Sequence, residues 1–360
     1  MNTATSAATP LATMTRTQPT ALWNDSADPR ELGQAISWGA VGATCNPVIA
    51  LNCVKADQAG WRARIAELAR EHPTAGESEI GWKVVEELSV GAAKLLMPAF
   101  ERHGGLNGRL SIQTDPRLHR DPAALADQAT RFAELAPNMI VKIPATATGL
   151  EAIEEATYRG VSVNVTVSFT AAQAVCAGQA IERGLLRREA AGLDTQSMGP
   201  VVTIMVGRLD DWMREVVKRD RIAINPGHLE WAGVATFKRA YRVFLELGLR
   251  SRLLSAAYRN VLHLTEFVGG DVVVSPPFAW QTLINDNGLE LPALMDLPVA
   301  DQILSELLNR IPEFRRAYEP DGLTPVEFDG FGATRKTLRQ FLDAGAGLDA
   351  LVRDVIVPAP

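Results

Sequence analysis

Short runs of β-branched and apolar residues recur along the chain, separated by longer segments whose apolar residues fall at i, i+3 and i+4. Such alternation is the order in which successive βα units build a parallel sheet. The spacing predicts strands over Ala21–Trp23, Val41–Thr44, Leu110–Thr114, Met139–Ile143, Val161–Val167, Val201–Val206, Leu253–Ala256 and Val272–Val274. That set of eight is what a (β/α)₈ barrel needs. Amphipathic segments at Pro122–Leu135, Leu150–Ala156, Ala171–Arg183 and Val234–Leu245 read as outer helices. Lys55 to Arg102 holds two helical patterns instead of one, and Leu209–Lys218 adds another after the sixth strand. Beyond Leu291 the pattern predicts helices over Leu294–Leu308 and Thr334–Val355, broken by the turn-rich EPDGLTP. The expected organisation is a disordered tail over residues 1–19, then one barrel domain with C-terminal helices over residues 20–360.

Composition narrows the class of function. A formal net charge of -6 and a pI near 5.5 argue against nucleic acid or an anionic membrane surface as partner, since both select a clustered positive field. No apolar stretch approaches the ~20 residues of a membrane helix, and the N-terminus lacks the charged start and apolar core of a secretory signal. Cys45, Cys53 and Cys176 form no CxxC pair and have no histidine spacing to complete a zinc site. A reducing cytoplasm and no metal are therefore expected. Oligomeric state has no signature here.

Candidate chemistry gathers at the predicted strand ends, where (β/α)₈ barrels carry their active sites. Lys142 sits between Met139, Ile140, Val141 and Ile143 and is followed by Pro144. If it faces the packed interior, burial disfavours its charged form and leaves a nucleophilic amine able to form an iminium with a ketone. The alternative is a stem packed on the barrel wall with its head in solvent. Asp25 follows the first strand, Asn46 the second, Gln113 and Asp115 mark the third, Asn164 and Thr166 the fifth, and Thr203 the sixth. Three have ordinary structural readings: Asp25 as cap of a helix near Pro29, Asn46 and Asp115 as holders of the turns before Pro47 and Pro116. In VSVNVTVS, Asn164 and Thr166 share one strand face, and in a barrel whose outside is covered by helices that face looks inward. Arg208 and Arg259, past the sixth and seventh strands, offer forks of donors for a phosphate. Equally, Arg208 has Asp210 and Asp211 at hand for a surface ion pair.

GATCNP, SIQTDPRL, IVKIPAT, GVSVNVTVSF and MVGRLDDW, in this order, resemble the motifs of the transaldolase family, over about Leu22 to Ser275. The resemblance implies a class I Schiff-base enzyme of sugar-phosphate metabolism, in the manner of the pentose phosphate pathway, that works without a cofactor. Residue by residue it implies that Lys142 is the Schiff-base lysine and that Asp25, in LWNDSAD, is the acid/base. Asn46 and Asn164 would hold substrate hydroxyls, and Thr166 would position a water. Arg208 and Arg259 would bind phosphate, with Thr203 standing where the family usually has a serine. Gln113 departs from the pattern, because the family usually has a glutamate there, and glutamine can hold a water without taking its proton. Fructose-6-phosphate aldolases look similar at that position but usually carry a tyrosine where this chain has Met205.

The function implied is transfer of a dihydroxyacetone unit from a ketose phosphate to an aldose phosphate. Two alternatives remain: an aldolase that releases free dihydroxyacetone or acts on a specialised sugar phosphate, and an inert sugar-phosphate-binding protein.

Overall fold

The computed structural model describes residues 9–358. Its eight strands are β1 (Ala21–Leu22), β2 (Gly42–Cys45), β3 (Arg109–Gln113), β4 (Met139–Pro144), β5 (Val163–Thr166), β6 (Val201–Ile204), β7 (Arg252–Ala256) and β8 (Val273–Ser275). All pair in parallel, in the order β1-β8-β7-β6-β5-β4-β3-β2. The first and second strands meet through Val41 N–H to Leu22 O at 2.8 Å, Asn24 N–H to Gly42 O at 2.9 Å and Thr44 N–H to Asn24 O at 3.1 Å. The sheet thus curls into the barrel that the alternating pattern predicts.

The helices follow in chain order. Before and between the first strands lie α1 (Pro10–Thr17) and α2 (Pro29–Ser37), then α3 (Pro47–Ala56), α4 (Gln58–Glu71) and α5 (Glu77–Arg102). Around the ring come α6 (Pro122–Ala133), α7 (Ala147–Tyr158), α8 (Ala171–Ala190), α9 (Val206–Asp220), α10 (Ala232–Leu247), the short α11 (Leu262–Thr265) and α12 (Phe278–Asp286). The chain ends with α13 (Asp301–Arg310), α14 (Pro312–Tyr318), α15 (Pro325–Phe328) and α16 (Gly332–Ile356). Local chemistry sets many of the starts. Asp28, Asn46 and Asp121 each cap a helix whose first residue is proline, where the missing N–H costs nothing.

Two apolar layers result. The larger lies between strands and helices, and a smaller cluster of Trp23, Ile140, Val201, Leu254, Ala256 and Val273 fills the barrel. Trp23 fits there because Gly42 has no side chain, since a Cβ at that position would stand 2.3 Å from the indole. Below it, the buried Arg109 donates to the carbonyls of Gly105 at 2.7 Å, Met139 at 3.0 Å and Ser197 at 2.7 Å. The lower end is closed by packing, so access is from the C-terminal ends of the strands.

Two expectations need correction. Residues 1–8 lie outside the described residues, but the rest of the expected tail is not disordered: Pro10–Thr17 is helical. Leu11 and Met14, three apart on one face, are buried, and Leu11 N–H donates to Asn285 Oδ1 on α12 at 3.1 Å. The helix expected over Leu294–Leu308 starts only at Asp301. Pro298 lacks the N–H a helix needs, and the carbonyls of Leu294 and Leu297 are taken by the buried Lys238 ammonium at 2.9 and 2.8 Å.

Candidate active site

Lys142 occupies β4 with Gln113 of β3 and Asn164 of β5 as its neighbours in register, so three polar side chains from distant motifs stand abreast. The residue is only 6 % exposed. Burial pushes its ammonium below the usual lysine range; Asp25 and Cys45 oppose that shift, and the Arg208 charge reinforces it. The inward orientation is therefore realised, not the solvent-directed one. The Cys45 thiol, also buried, is pushed up to about 11 and stays neutral.

A cavity of about 180 Å³ opens above Lys142, lined also by Asp25, Asn46, Thr166, Thr203 and Arg208. Arg259, Met205, Tyr258 and Phe341 also line it. Larger grooves elsewhere, such as that beside Asp28, Trp61 and Arg64, gather no comparable convergence from strand ends.

Asp25 is free to work here because Asp28, not Asp25, caps α2, accepting from Arg30 N–H at 2.8 Å and Glu31 N–H at 3.2 Å. One Asp25 oxygen accepts from Thr44 Oγ1 at 2.6 Å, which fixes the carboxylate at the cavity wall. Asn46 does serve its turn: its Oδ1 accepts from Ile49 N–H at 2.9 Å and caps α3. That bond orients the amide, so both Nδ2 protons remain for a ligand. Asp115 is spent structurally, accepting from Trp82 Nε1 at 3.0 Å and from Arg117 N–H at 2.9 Å.

Gln113 and Asn164 lie beneath the cavity lining. Asn164 is fully buried, donates to Ser111 Oγ at 3.0 Å and accepts from Thr203 Oγ1 at 2.8 Å, leaving one amide proton uncommitted. Gln113 Oε1 is a buried acceptor without a partner among the described residues.

The two arginines differ. Arg259 lies at the rim, paired with Asp211 at 2.8 Å and with the carbonyl of Tyr258 at 3.0 Å. Arg208 takes neither of the aspartates that follow it: Asp211 serves Arg259 and Arg214, and Asp210 is turned inward to His263. Its Nη1 donates to Gln340 Oε1 at 2.5 Å and Thr337 Oγ1 at 3.3 Å on α16, and its Nε has no partner among the described residues. Burial lowers the Arg208 pKa, and the like charge of Arg259 lowers it further. A largely desolvated guanidinium with no ion pair among the described residues, beside a second guanidinium, has donors that can take an anion.

Sequence reasoning missed several members. Thr44 carried a faint signal, two residues before Asn46 on one strand face. Tyr258 is among the residues lining the cavity, and its buried phenol, raised by burial and by the Asp25 charge, stays neutral. Phe341 and Gln340 come from α16, for which the sequence offers amphipathic periodicity but no motif.

The profile of the transaldolase/fructose-6-phosphate aldolase family matches residues 22–318. A transaldolase of Thiobacillus denitrificans is 29% identical over 300 residues, 77% of this chain and 81% of its own. Transaldolase 1 of Streptomyces coelicolor is 31% identical over 279 residues, 76% of this chain and 68% of its own. Transaldolase 1 of Streptomyces avermitilis is 36% identical over a shorter stretch of 181 residues, half of this chain. With eight parallel strands in a barrel, a buried lysine at the mouth and a family match across most of its length, this chain belongs to the transaldolase/fructose-6-phosphate aldolase family.

Proposed function

We propose that the chain is a transaldolase that moves a dihydroxyacetone unit from a ketose phosphate to an aldose phosphate through a Schiff base on Lys142. The observation that carries this reading is the buried Lys142 amine, its pKa lowered, in a cavity shared with Asp25 and the two arginines.

The neutral amine attacks the C2 carbonyl, and loss of water leaves an iminium. Asp25 takes the proton of the C4 hydroxyl, the C3–C4 bond breaks, and its electron pair passes into the iminium to give an enamine. The C4 fragment leaves as an aldose phosphate. The enamine then attacks the carbonyl of an acceptor aldose phosphate, Asp25 returns its proton to the new hydroxyl, and hydrolysis frees Lys142. The iminium is the electron sink, so these steps call for no metal or organic cofactor. Asn46, with two amide protons free, and Asn164, with one, hold the hydroxyls of the three-carbon unit. Thr166 orients the water that adds and leaves, with Gln113 as a second, non-ionisable holder for it. Arg208 and Arg259 bind the phosphate, and Thr203 supports that side of the cavity. Scarce cysteine supports a cytoplasmic setting, in the sugar interconversions of the pentose phosphate pathway.

Borohydride reduction in the presence of fructose 6-phosphate tests the covalent step. The native chain is expected to gain the mass of a reduced adduct at Lys142, and Lys142→Met to gain none. Labelling of another lysine with Lys142 untouched would refute the assignment. Product analysis with and without erythrose 4-phosphate tests transfer, which requires the acceptor, against simple release of dihydroxyacetone, which does not.

A further inference from the structure

Asp210 and His263 take no part in the steps above, yet both side chains are completely buried directly behind the cavity wall. His263 Nε2 lies 2.8 Å from Asp210 Oδ2, and the other Asp210 oxygen accepts from Gly233 N–H at 2.7 Å, at the start of α10. On the far side of the ring, the backbone N–H of Arg259 donates to His263 Nδ1 at 3.0 Å. A backbone N–H can only donate, so Nδ1 bears the lone pair and Nε2 the proton. Asp210 therefore selects one neutral tautomer, and that tautomer accepts from the arginine's main chain.

The segment held in this way is strained. Ala257 adopts a left-handed backbone with φ 65°, unfavourable for a residue with a side chain, and persists only where the surroundings over-determine it. The start of α9 presses on the same turn, since a Cβ on Gly207 would stand 2.0 Å from the Ala257 carbonyl oxygen. The Tyr258 ring packs edge-on against His263 at 5.9 Å, and Ser255 Oγ donates to the His263 carbonyl at 2.8 Å. Stability alone is a poor reason to keep such a pair, because buried polar pairs are often replaced by apolar residues without loss.

We propose that Asp210 and His263 form a positioning device, which fixes the left-handed turn at Ala257 and so aims Arg259 at the phosphate of the substrate. The proposal rests on reading Arg259 as a phosphate ligand.

Asp210→Asn tests it with almost no change of shape. The introduced asparagine can keep the Gly233 bond through its oxygen, but its amide then presents protons to His263 Nε2. The imidazole must move its own proton to Nδ1, where it faces the Arg259 N–H donor against donor. Nitrogen NMR of 15N-histidine-labelled protein should show an unprotonated Nδ1 at His263 in the native chain and an unprotonated Nε2 in the variant. KM for fructose 6-phosphate should rise about tenfold, the loss of roughly one buried hydrogen bond, with kcat and the KM for unphosphorylated fructose within about twofold. Adding His263→Asn, whose Oδ1 falls where Nδ1 was, should recover most of that loss, whereas adding His263→Leu should not.

A native Nδ1–H tautomer, a tautomer switch with unchanged KM, or equal losses on both sugars would each overturn the proposal. Arg259→Ala, assayed alongside, separates the two levels. If Arg259→Ala discriminates against the phosphorylated sugar and Asp210→Asn does not, the positioning role alone fails. If Arg259→Ala treats both sugars alike, the phosphate reading fails and takes the positioning role with it.

Discussion

On the proposed reading, replacing Arg208 by alanine should produce two separable effects, because its guanidinium would bind the substrate phosphate and its charge acts on Lys142. Arg208 lines the cavity; its Nη1 is committed to Gln340 and Thr337, and its Nε is buried without a partner among the described residues. Two charge-assisted hydrogen bonds to a phosphate contribute about 1.5–3 kcal/mol each. Relief of repulsion with Arg259, and entry of water into the space vacated, offset part of that. A net loss near 3 kcal/mol remains, which lowers kcat/KM for fructose 6-phosphate by about a hundredfold at 1.4 kcal/mol per decade. The second effect follows from charge. Arg208 is among the groups that disfavour protonated Lys142, so its removal raises the lysine pKa. More of the amine is then protonated at neutral pH, and the acid limb of the rate profile moves to higher pH for phosphorylated and unphosphorylated donors alike. Steady-state kinetics on fructose 6-phosphate and fructose, across the neutral and alkaline range, would measure both. The reasoning fails if the two donors lose equal efficiency and the acid limb stays where it was.

Gln113→Glu puts an ionisable acceptor at a buried atom now without a partner, so the transaldol rate should rise and its acid limb should shift upward, as a carboxylate there favours protonated Lys142; a lower rate with every donor would argue for a different proton route. Lys142→Met should resist urea better than the native chain at neutral pH. The native amine titrates lower when folded than unfolded, so below the unfolded pKa it detracts from stability, and methionine ends that loss; an unchanged or lower midpoint would mean that the Asp25 attraction cancels the burial. Leu11→Ala should destabilise by about 2–5 kcal/mol in urea melts, as expected of a fully buried leucine, whereas a dispensable tail would leave the midpoint unchanged.

Much of the architecture was legible because parallel barrel strands are covered on both faces and stand out as apolar runs. IVKIP and VNVT were readable both as strands and as carriers of inward polar groups, and their pairing brings Lys142 beside Asn164. Asp25 was readable only by analogy with its family, since the competing explanation, a helix cap, was excluded only once Asp28 was seen to cap α2. The Asp210–His263 pair was not legible, because its partners are 53 residues apart and neither position looks unusual in sequence. Nor was the role of α16: amphipathic spacing says that a face is buried but not what it covers. The stretch from Leu294 to Ala300 misled because its apolar spacing suits a helix, while Lys238 and Pro298 impose demands that spacing does not encode.

The division of the cavity wall between barrel and α16 has an evolutionary consequence. The family match ends at residue 318, yet Gln340 and Phe341 stand beyond it, one touching Arg208 and the other facing the cavity. Lys142, Asp25, Asn46 and Asn164, the residues proposed to carry the reaction, all lie within the matched stretch. Part of the outer wall sits on α16, where substitutions at Thr337, Gln340 or Phe341 would reshape the space around Arg208 without touching Lys142 or Asp25. If the proposed phosphate site is right, changes in sugar preference among relatives should include positions on the face of α16 that carries Thr337, Gln340 and Phe341, outside the motifs that identify the family.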